Sequence, residues 1–192
     1  HGNVYYDAIQ EFIADRVRLS MTEKWTGRTL SEAAVLALAD ACVDAHEAYA
    51  PDLMQELRGM SDATGLSLGA LIINNGFTDF IDTVYAVGDI TQPRQPEQAA
   101  DNCTAFLVDN AHSASGQGMF GQTWDMHDSA TEHIILLHGQ PNNAPDFLTF
   151  TIKGCVGMIG MNSAGIAVGI NNIMGGDGQI GVTWPFVVRK IL

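Results

Sequence analysis

One cysteine in this chain has neighbours that suggest chemistry. Cys103 lies in the run DNCTAFLV, which has the composition of a strand, and a polar segment with two prolines precedes it. Cleavage of the Asn102–Cys103 bond would leave a thiol and a free α-amine on one residue. Because an α-amine has a pKa of about 7.7 to 8.0, part of it is unprotonated near neutral pH and can accept the thiol proton. The sequence therefore predicts a nucleophile that supplies its own base, although a cysteine at a strand start is more often a small apolar side chain.

A histidine offers a second way to activate the same thiol. His127 follows Asp125 by two residues, so in a strand both would share one face. A conventional cysteine amidase would pair Cys103 with His127 and leave the chain intact. Only cleavage yields a fragment that begins Cys-Thr-Ala-Phe, so N-terminal sequencing separates the two schemes.

A metal site is an alternative, because four possible ligands lie between residues 127 and 138: His127, Asp128, His133 and His138. Their spacing matches neither HExxH nor a zinc-finger pattern. We therefore predict no metal and no organic cofactor.

Charge and cysteine usage limit the classes of partner. The chain has 9 Lys and Arg against 22 Asp and Glu, a net charge of -13, which repels phosphate backbones and anionic lipids. We expect neither nucleic acid nor a membrane as partner. The three cysteines form no CxxC pair, which favours a reducing compartment, and we expect a cytoplasmic location.

The elements that must position these residues fall into two blocks, so the sequence predicts an α+β protein. The apolar residues Ile9, Phe12 and Ile13 recur at helical spacing. Further helices are predicted from a Thr29/Glu32 capping box to Ala48, from 51 to 59 and from 68 to 80. After Cys103, six short β-branched and aromatic runs alternate with turn residues, which indicates antiparallel strands before a helix near Trp184. Residues 1–102 thus form a helical piece with a linker at 88–102, and residues 103–192 form the strand-rich piece.

Two longer stretches carry a resemblance to a known family: CTAFLVDNAHSASGQGMFGQTWDMH and LTFTIKGCVGMIGMNSAGIAVGINNI. They resemble the acyl-coenzyme A:6-aminopenicillanic acid acyltransferase (isopenicillin N acyltransferase-like) family of N-terminal nucleophile hydrolases, with choloylglycine hydrolases and acid-ceramidase-like amidases as more distant relatives. The resemblance is close over residues 103–192 and loose over the helical half. It implies an αββα sandwich, incomplete in this chain, and a precursor that cleaves itself before a cysteine.

The resemblance also implies roles for individual residues. Cys103 would be the nucleophile, Asp125 would hold the new α-amine, and Asn171 would donate to the oxyanion. Gln122 stands where the more distant amidases carry an arginine. We also expect a set of neighbouring residues to contact the substrate: Thr104, Gln122, Trp124 and His127.

The expected function is that of an autoprocessing amide hydrolase or acyltransferase. After cleavage, residues 1–102 would be the α-subunit piece of an α/β heterodimer, with a higher homo-oligomer left open. The substrate would be a small acyl amide, and acyl-coenzyme A is an expected acyl donor. A non-catalytic homologue that acts as a binding protein is the alternative, because the downstream asparagine and arginine of the family would lie past Leu192.

Overall fold

A computed structural model of the chain describes residues 1–86, 103–173, 175 and 177–192. The whole predicted linker, residues 88–102, which includes Asn102 of the expected cleavage site, lies outside the described residues. The described elements confirm an α+β protein in which helices precede antiparallel strands. None of the helices in these ranges has the length and apolar character needed to cross a membrane.

The first half of the described chain is helical, as predicted. Its helices are α1 (Tyr6–Ser20), α2 (Glu23–Thr26), α3 (Glu32–Asp40), α4 (Val43–Tyr49), α5 (Pro51–Thr64), α6 (Leu68–Asn74) and α7 (Phe77–Ala86). The apolar stripe of α1 is confirmed, because Ile9, Phe12 and Ile13 are all buried.

Three predicted helix boundaries are wrong. The predicted helix from 29 to 48 is α3 and α4, and the cap of α3 is Ser31, whose side chain accepts from Ala34 N at 3.2 Å. The predicted helix from 68 to 80 is α6 and α7, which break at Gly76 with φ of 145°. Helix α5 passes through Gly59 and ends at Gly65, whose φ of 73° is the left-handed cap that glycine adopts readily.

The second half forms two antiparallel sheets and a final helix. The strands are β1 (Ala105–Val108), β2 (Met119–Gln122), β3 (Ile134–Gly139), β4 (Phe147–Ile152), β5 (Ile159–Asn162) and β6 (Ala167–Val168), and the helix is α8 (Trp184–Ile191). Strands β1 and β2 pair as a hairpin, while β3, β4, β5 and β6 form a meander in sequence order. The antiparallel strands are confirmed, but they divide between two sheets.

The two faces of the four-stranded sheet differ in burial. Phe147 and Thr149 lie on the buried face, towards the helices. On the other face Leu136, Leu148 and Met161 stay 68%, 44% and 55% exposed. A groove of about 560 Å³ separates this second face from the β1–β2 hairpin, and both sheets line it.

The helical and strand-rich halves share one hydrophobic core. Val156 from the turn after β4 and Phe186 from α8 pack into the cluster formed by the first seven helices. Buried Asn75 adds polar contacts, because its Nδ2 donates to Gly154 O at 2.9 Å and its Oδ1 accepts from Val156 N at 2.8 Å. These contacts hold the sheets against the helices and place the start of β1 beside α7 and α8.

Candidate functional site

Cys103 is half-buried in a narrow cleft at the junction of the two halves. The cleft is lined by Thr78, Cys103, Trp124, Asp125, Met126, Ile170, Asn172 and Trp184. Its free volume of about 10 Å³ is at the lower limit for one water molecule. The structure therefore brings the predicted nucleophile together with Asp125 and Trp124, while their chemical roles stay predictions.

The β1–β2 hairpin fixes the position of Cys103. Ala105 pairs with Gln122, and the pairing continues as Thr123 N donates to Thr104 O at 2.8 Å and Thr104 N donates to Thr123 Oγ1 at 3.1 Å. The same register places Cys103 opposite Trp124, directly before Asp125. The hydrogen-bond ladder of the hairpin thus determines which side chains surround the thiol.

The asparagine that lines the cleft is Asn172, whereas Asn171 is exposed. Asn172 is half-buried and follows Ile170, another lining residue, by two positions. An amide donor in such a position can bind charge that develops on a carbonyl oxygen in the transition state. The structure therefore offers Asn172 beside the sequence-predicted Asn171 as the candidate oxyanion donor.

The side-chain amide of Gln122 forms hydrogen bonds to the backbone of this chain. Its Oε1 accepts from Ile170 N at 2.9 Å, and its Nε2 donates to Ile170 O. This paired bond joins β2 to the segment that carries Asn172. Among the other expected substrate contacts, Thr104 is exposed beside the cleft and bonds through its backbone to Thr123.

His127 is not among the residues that line the cleft. Its ring lies against Phe12, Trp25 and Phe77, with centroid distances of 5.8, 6.2 and 5.5 Å. Its Nδ1 lies 2.8 Å from Ser129 Oγ, which itself donates to an Asp15 carboxylate oxygen at 2.6 Å. Burial, and to a smaller extent nearby Arg16, lowers the pKa of His127 to about 4. The ring is thus neutral at pH 7 and held in an aromatic pocket apart from the thiol's cleft.

Two residues of the cleft could not be found from the sequence. Thr78 comes from α7 and Trp184 from the first turn of α8, so they lie far from Cys103 along the chain. The sequence pattern marked Trp184 only as a helix start, and Thr78 carried no chemical signal. Both reach the cleft because the halves pack on one core.

A second small cavity adjoins the cleft and contains a buried cation. The cleft and this cavity share Thr78, Trp124, Met126 and Trp184 as lining residues. Arg16 lines its inner wall at 2% exposure, and its guanidinium lies 4.6 Å from the centroid of the Phe12 ring and 4.9 Å from that of Phe77. The inner wall of this region therefore carries a guanidinium group, which donates to Asn74 O at 3.0 Å.

Within the described residues, no group of three or more His, Cys, Asp or Glu side chains is arranged to hold a metal ion. His133, one member of the alternative metal cluster, is buried and stacks on Phe12 with ring centroids 4.2 Å apart.

Comparison with known proteins bears on the strand-rich half. The family model described as acyl-coenzyme A:6-aminopenicillanic acid acyl-transferase matches residues 112–192. A curated relative, the 40 kDa form of acyl-coenzyme A:6-aminopenicillanic-acid-acyltransferase from Emericella nidulans, is 26% identical over 121 residues. Over these residues the chain is similar to the acyltransferase family. The aligned part is 63% of this chain and 29% of that relative, so the chain spans less than a third of the length of the acyltransferase it matches.

The family model covers two of the predicted catalytic residues but not the third. Asp125 and Asn171 fall within the region that the family model covers, while Cys103 precedes it. The position of Cys103 in the cleft is therefore an observation independent of the family model.

Proposed function

We propose that the chain is part of an autoprocessing N-terminal nucleophile amide hydrolase or acyltransferase with Cys103 as its nucleophile. The observation that carries this proposal is the cleft that Cys103 shares with Asp125 and Asn172, in a chain that is similar to the acyltransferase family over residues 112–192. Acyl transfer through a thiol needs a nucleophile, a group that controls the proton, and a donor to the oxyanion. These three side chains supply them.

Processing would begin with attack by Cys103 Sγ on the carbonyl carbon of Asn102. The C–N bond breaks, a thioester forms, and the backbone nitrogen of Cys103 becomes an α-amine. Water then hydrolyses the thioester, which releases the Asn102 carboxylate and regenerates the thiol. Asp125, at the open side of the cleft, would hold the new ammonium group by charge.

Turnover would use the same thiol on an external amide. The α-amine accepts the thiol proton, Sγ attacks the substrate carbonyl carbon, and Asn172, or the sequence-predicted Asn171, donates to the oxyanion. The α-ammonium then returns the proton to the leaving amine, which leaves a thioester on Cys103. Water completes hydrolysis, or an amine completes acyl transfer; acyl-coenzyme A would donate its acyl group to the thiol by thioester exchange.

The halves would remain together as an α/β heterodimer after processing. The contacts of Val156 and Phe186 with the helical core, and of Asn75 with the turn after β4, do not depend on the peptide link. Thr78 in the cleft comes from the helical half.

We also propose that the groove between the sheets is the interior of an αββα sandwich. Leu136, Leu148 and Met161 line this groove, and their side chains are exposed in it. The cytoplasmic location and any higher homo-oligomer stay predictions.

Processing is tested by intact-mass spectrometry and N-terminal sequencing of the purified protein. We expect a fragment that begins at Cys103, and we expect Cys103→Ala to remain uncut and inactive. The matched control is Cys155→Ala, a buried thiol whose pKa is raised by burial; it should still be processed if it folds. A Cys103→Ala protein cut between 102 and 103 would overturn autocatalysis.

Thiol labelling tests the nucleophile independently of any substrate. Iodoacetamide at neutral pH should alkylate Cys103 well before Cys42 or Cys155, because burial raises the pKa of both other thiols. An uncleaved, active protein that loses activity in His127→Phe would support the conventional cysteine amidase instead. Slow alkylation at Cys103 together with no turnover would support a binding protein.

A further inference from the structure

Two side chains of the helical half, the half-buried Asp79 and the buried His46, hold the start of α8. Trp184 N donates to Asp79 Oδ2 at 2.7 Å. Thr183 N donates to His46 Nε2 at 3.1 Å, and Thr183 Oγ1 lies 3.0 Å from the same nitrogen. The first backbone N–H groups of a helix have no partner within the helix, so these contacts satisfy groups that would otherwise be unpaired.

The hydrogen bonds of His46 fix its tautomer. Nδ1 lies 2.8 Å from Cys42 O, which can only accept, so Nδ1 carries the proton and Nε2 is the acceptor for Thr183 N. The ring has no exposed surface, and it meets the Phe186 ring edge-on at 4.5 Å. His46 thus joins α4 to α8 in one defined orientation.

The turn before α7 leaves little room for movement at this junction. A Cβ atom on Gly76 would lie 2.3 Å from Thr183 Cβ, and the φ of 145° at Gly76 is one that other residues rarely adopt. The backbone of the helical half therefore lies directly against the start of α8. The carboxylate of Asp79 also complements the positive end of the α8 dipole.

We propose that Asp79 and His46 are positioning residues that hold the Trp184 wall of the Cys103 cleft. Trp184 lines both the cleft and the adjoining cavity of Arg16. Thr78 precedes Asp79 on α7 and lines the cleft itself. Helix α7 therefore supplies one wall directly and sets a second wall through Asp79.

This assignment rests on the proposed function, because it gives the Trp184 wall a role in holding substrate at the thiol. A geometric error of 1 Å at a reacting centre can reduce turnover by about a hundredfold. The hydrogen bonds to Thr183 and Trp184 oppose such an error. Loss of the Asp79 contact should therefore change the surroundings of Trp184 while the distant helical core stays intact.

Fluorine NMR of protein labelled with 5-fluorotryptophan tests the assignment without any substrate. The chain has three tryptophans, and the Trp184 resonance is identified by its absence in Trp184→Phe. We expect Asp79→Ala and His46→Leu to shift or broaden the Trp184 resonance, whereas Trp25 keeps its position. Asp79→Asn, which keeps an oxygen acceptor for Trp184 N, should restore the original resonance. The matched control is Asp44→Ala, an exposed carboxylate on α4.

Unmutated protein provides a second measurement in case Asp79→Ala does not fold. Burial, and to a smaller extent nearby Asp82, raises the pKa of Asp79 to about 6. Asp82 is also the one other charged side chain among the described residues that line the cavity beside Asp79. The Trp184 resonance should therefore move with a midpoint near pH 6, and Asp79→Asn should abolish that movement.

An unchanged Trp184 resonance in folded Asp79→Ala, or a resonance in unmutated protein that does not move between pH 5 and 7, would overturn the assignment. Failure of the proposed function would look different, because Cys103 would then neither be processed nor alkylate rapidly. In active protein, we expect Asp79→Ala to lower kcat towards 4-nitrophenyl acetate at least tenfold.

Discussion

The side-chain amide of Gln122 pairs with both backbone groups of Ile170, as one strand pairs with another. Ile170 N donates to Gln122 Oε1 at 2.9 Å, and Gln122 Nε2 donates to Ile170 O. This bond fastens the segment leading to Asn172 onto the hairpin that carries Cys103. We infer that Gln122 positions this segment, and its contact with substrate stays a prediction.

Replacement of Gln122 should loosen the asparagine wall of the cleft. Gln122→Leu removes both hydrogen bonds and leaves two half-buried backbone groups without their partner, which costs about 1 to 3 kcal/mol for each buried group. We expect kcat towards 4-nitrophenyl acetate to fall roughly tenfold or more, because the oxyanion donor loses its fixed position. Gln117→Leu, on the exposed loop of the same hairpin, is the matched control and should keep its kcat. Equal kcat values for the two variants would refute this role.

Asn171 and Asn172 form a matched pair for locating the oxyanion donor. Because Asn172 lines the cleft and Asn171 is exposed, we expect Asn172→Ala to lower kcat about 10²- to 10³-fold, the range seen when one such donor is removed. Asn171→Ala should change kcat by less than threefold. Steady-state kinetics on both variants decides the assignment, and the reverse pattern would restore the role to Asn171.

Asn75 should carry a large share of the attachment between the two halves. Asn75→Ala leaves Gly154 O and Val156 N without their partner in a buried site, so we expect a loss of about 3 kcal/mol in the free energy of unfolding. Urea denaturation followed by circular dichroism measures this loss. Asn143→Ala, in the exposed loop between β3 and β4, should change the free energy of unfolding by less than 0.5 kcal/mol.

His127 should make the protein less stable in acid. Its pKa is about 4 in the folded chain and about 6.5 in the unfolded chain, so the unfolded chain binds the proton more tightly. The contribution of His127 to stability is therefore fully present above pH 6.5 and is lost as the pH drops towards 4. With a discount for solvent screening of this partly exposed ring, it amounts to at most about 2 kcal/mol. Asp79, with its raised pKa, acts in the opposite direction over part of this range.

The contribution of His127 is isolated by comparing unmutated protein with His127→Phe. The variant keeps an aromatic ring against Phe12 and Phe77, and it retains the titrations of Asp79 and His46. We expect the unfolding free energy of the unmutated protein to fall relative to that of His127→Phe as the pH drops from 6.5 to 4. Parallel curves across that range would show that His127 does not titrate as described.

The sequence predicted helices and strands well where buried residues recur at a regular spacing along the chain. Ile9 and Phe12 repeat at helical spacing because one face of α1 packs on the core. The strand runs and turns after Cys103 predicted antiparallel strands, and the β1–β2 hairpin is one such pair. These features depend on neighbours along the chain, so a single sequence contains them. The expectation that Asp125 lies near Cys103 came from the family resemblance.

The remaining parts of the site depend on contacts between distant residues. The break between α6 and α7 puts the Asn75 amide against Gly154 and Val156, and no local pattern predicts that use of an asparagine. Asn171 and Asn172 lie in an irregular segment, where no period fixes which side chain turns inward. Asp79 and Trp184 meet only because α7 and α8 pack together.

The shared core of the two halves has a consequence for any chain cut before Cys103. An intact connection keeps the halves at an effective concentration in the millimolar range, so their folding is a unimolecular reaction. Once that connection is cut, reassembly after denaturation becomes bimolecular, and the apparent melting temperature should rise with protein concentration. Cleavage would thus convert a protein whose refolding is independent of concentration into one that stays folded only while its halves remain associated.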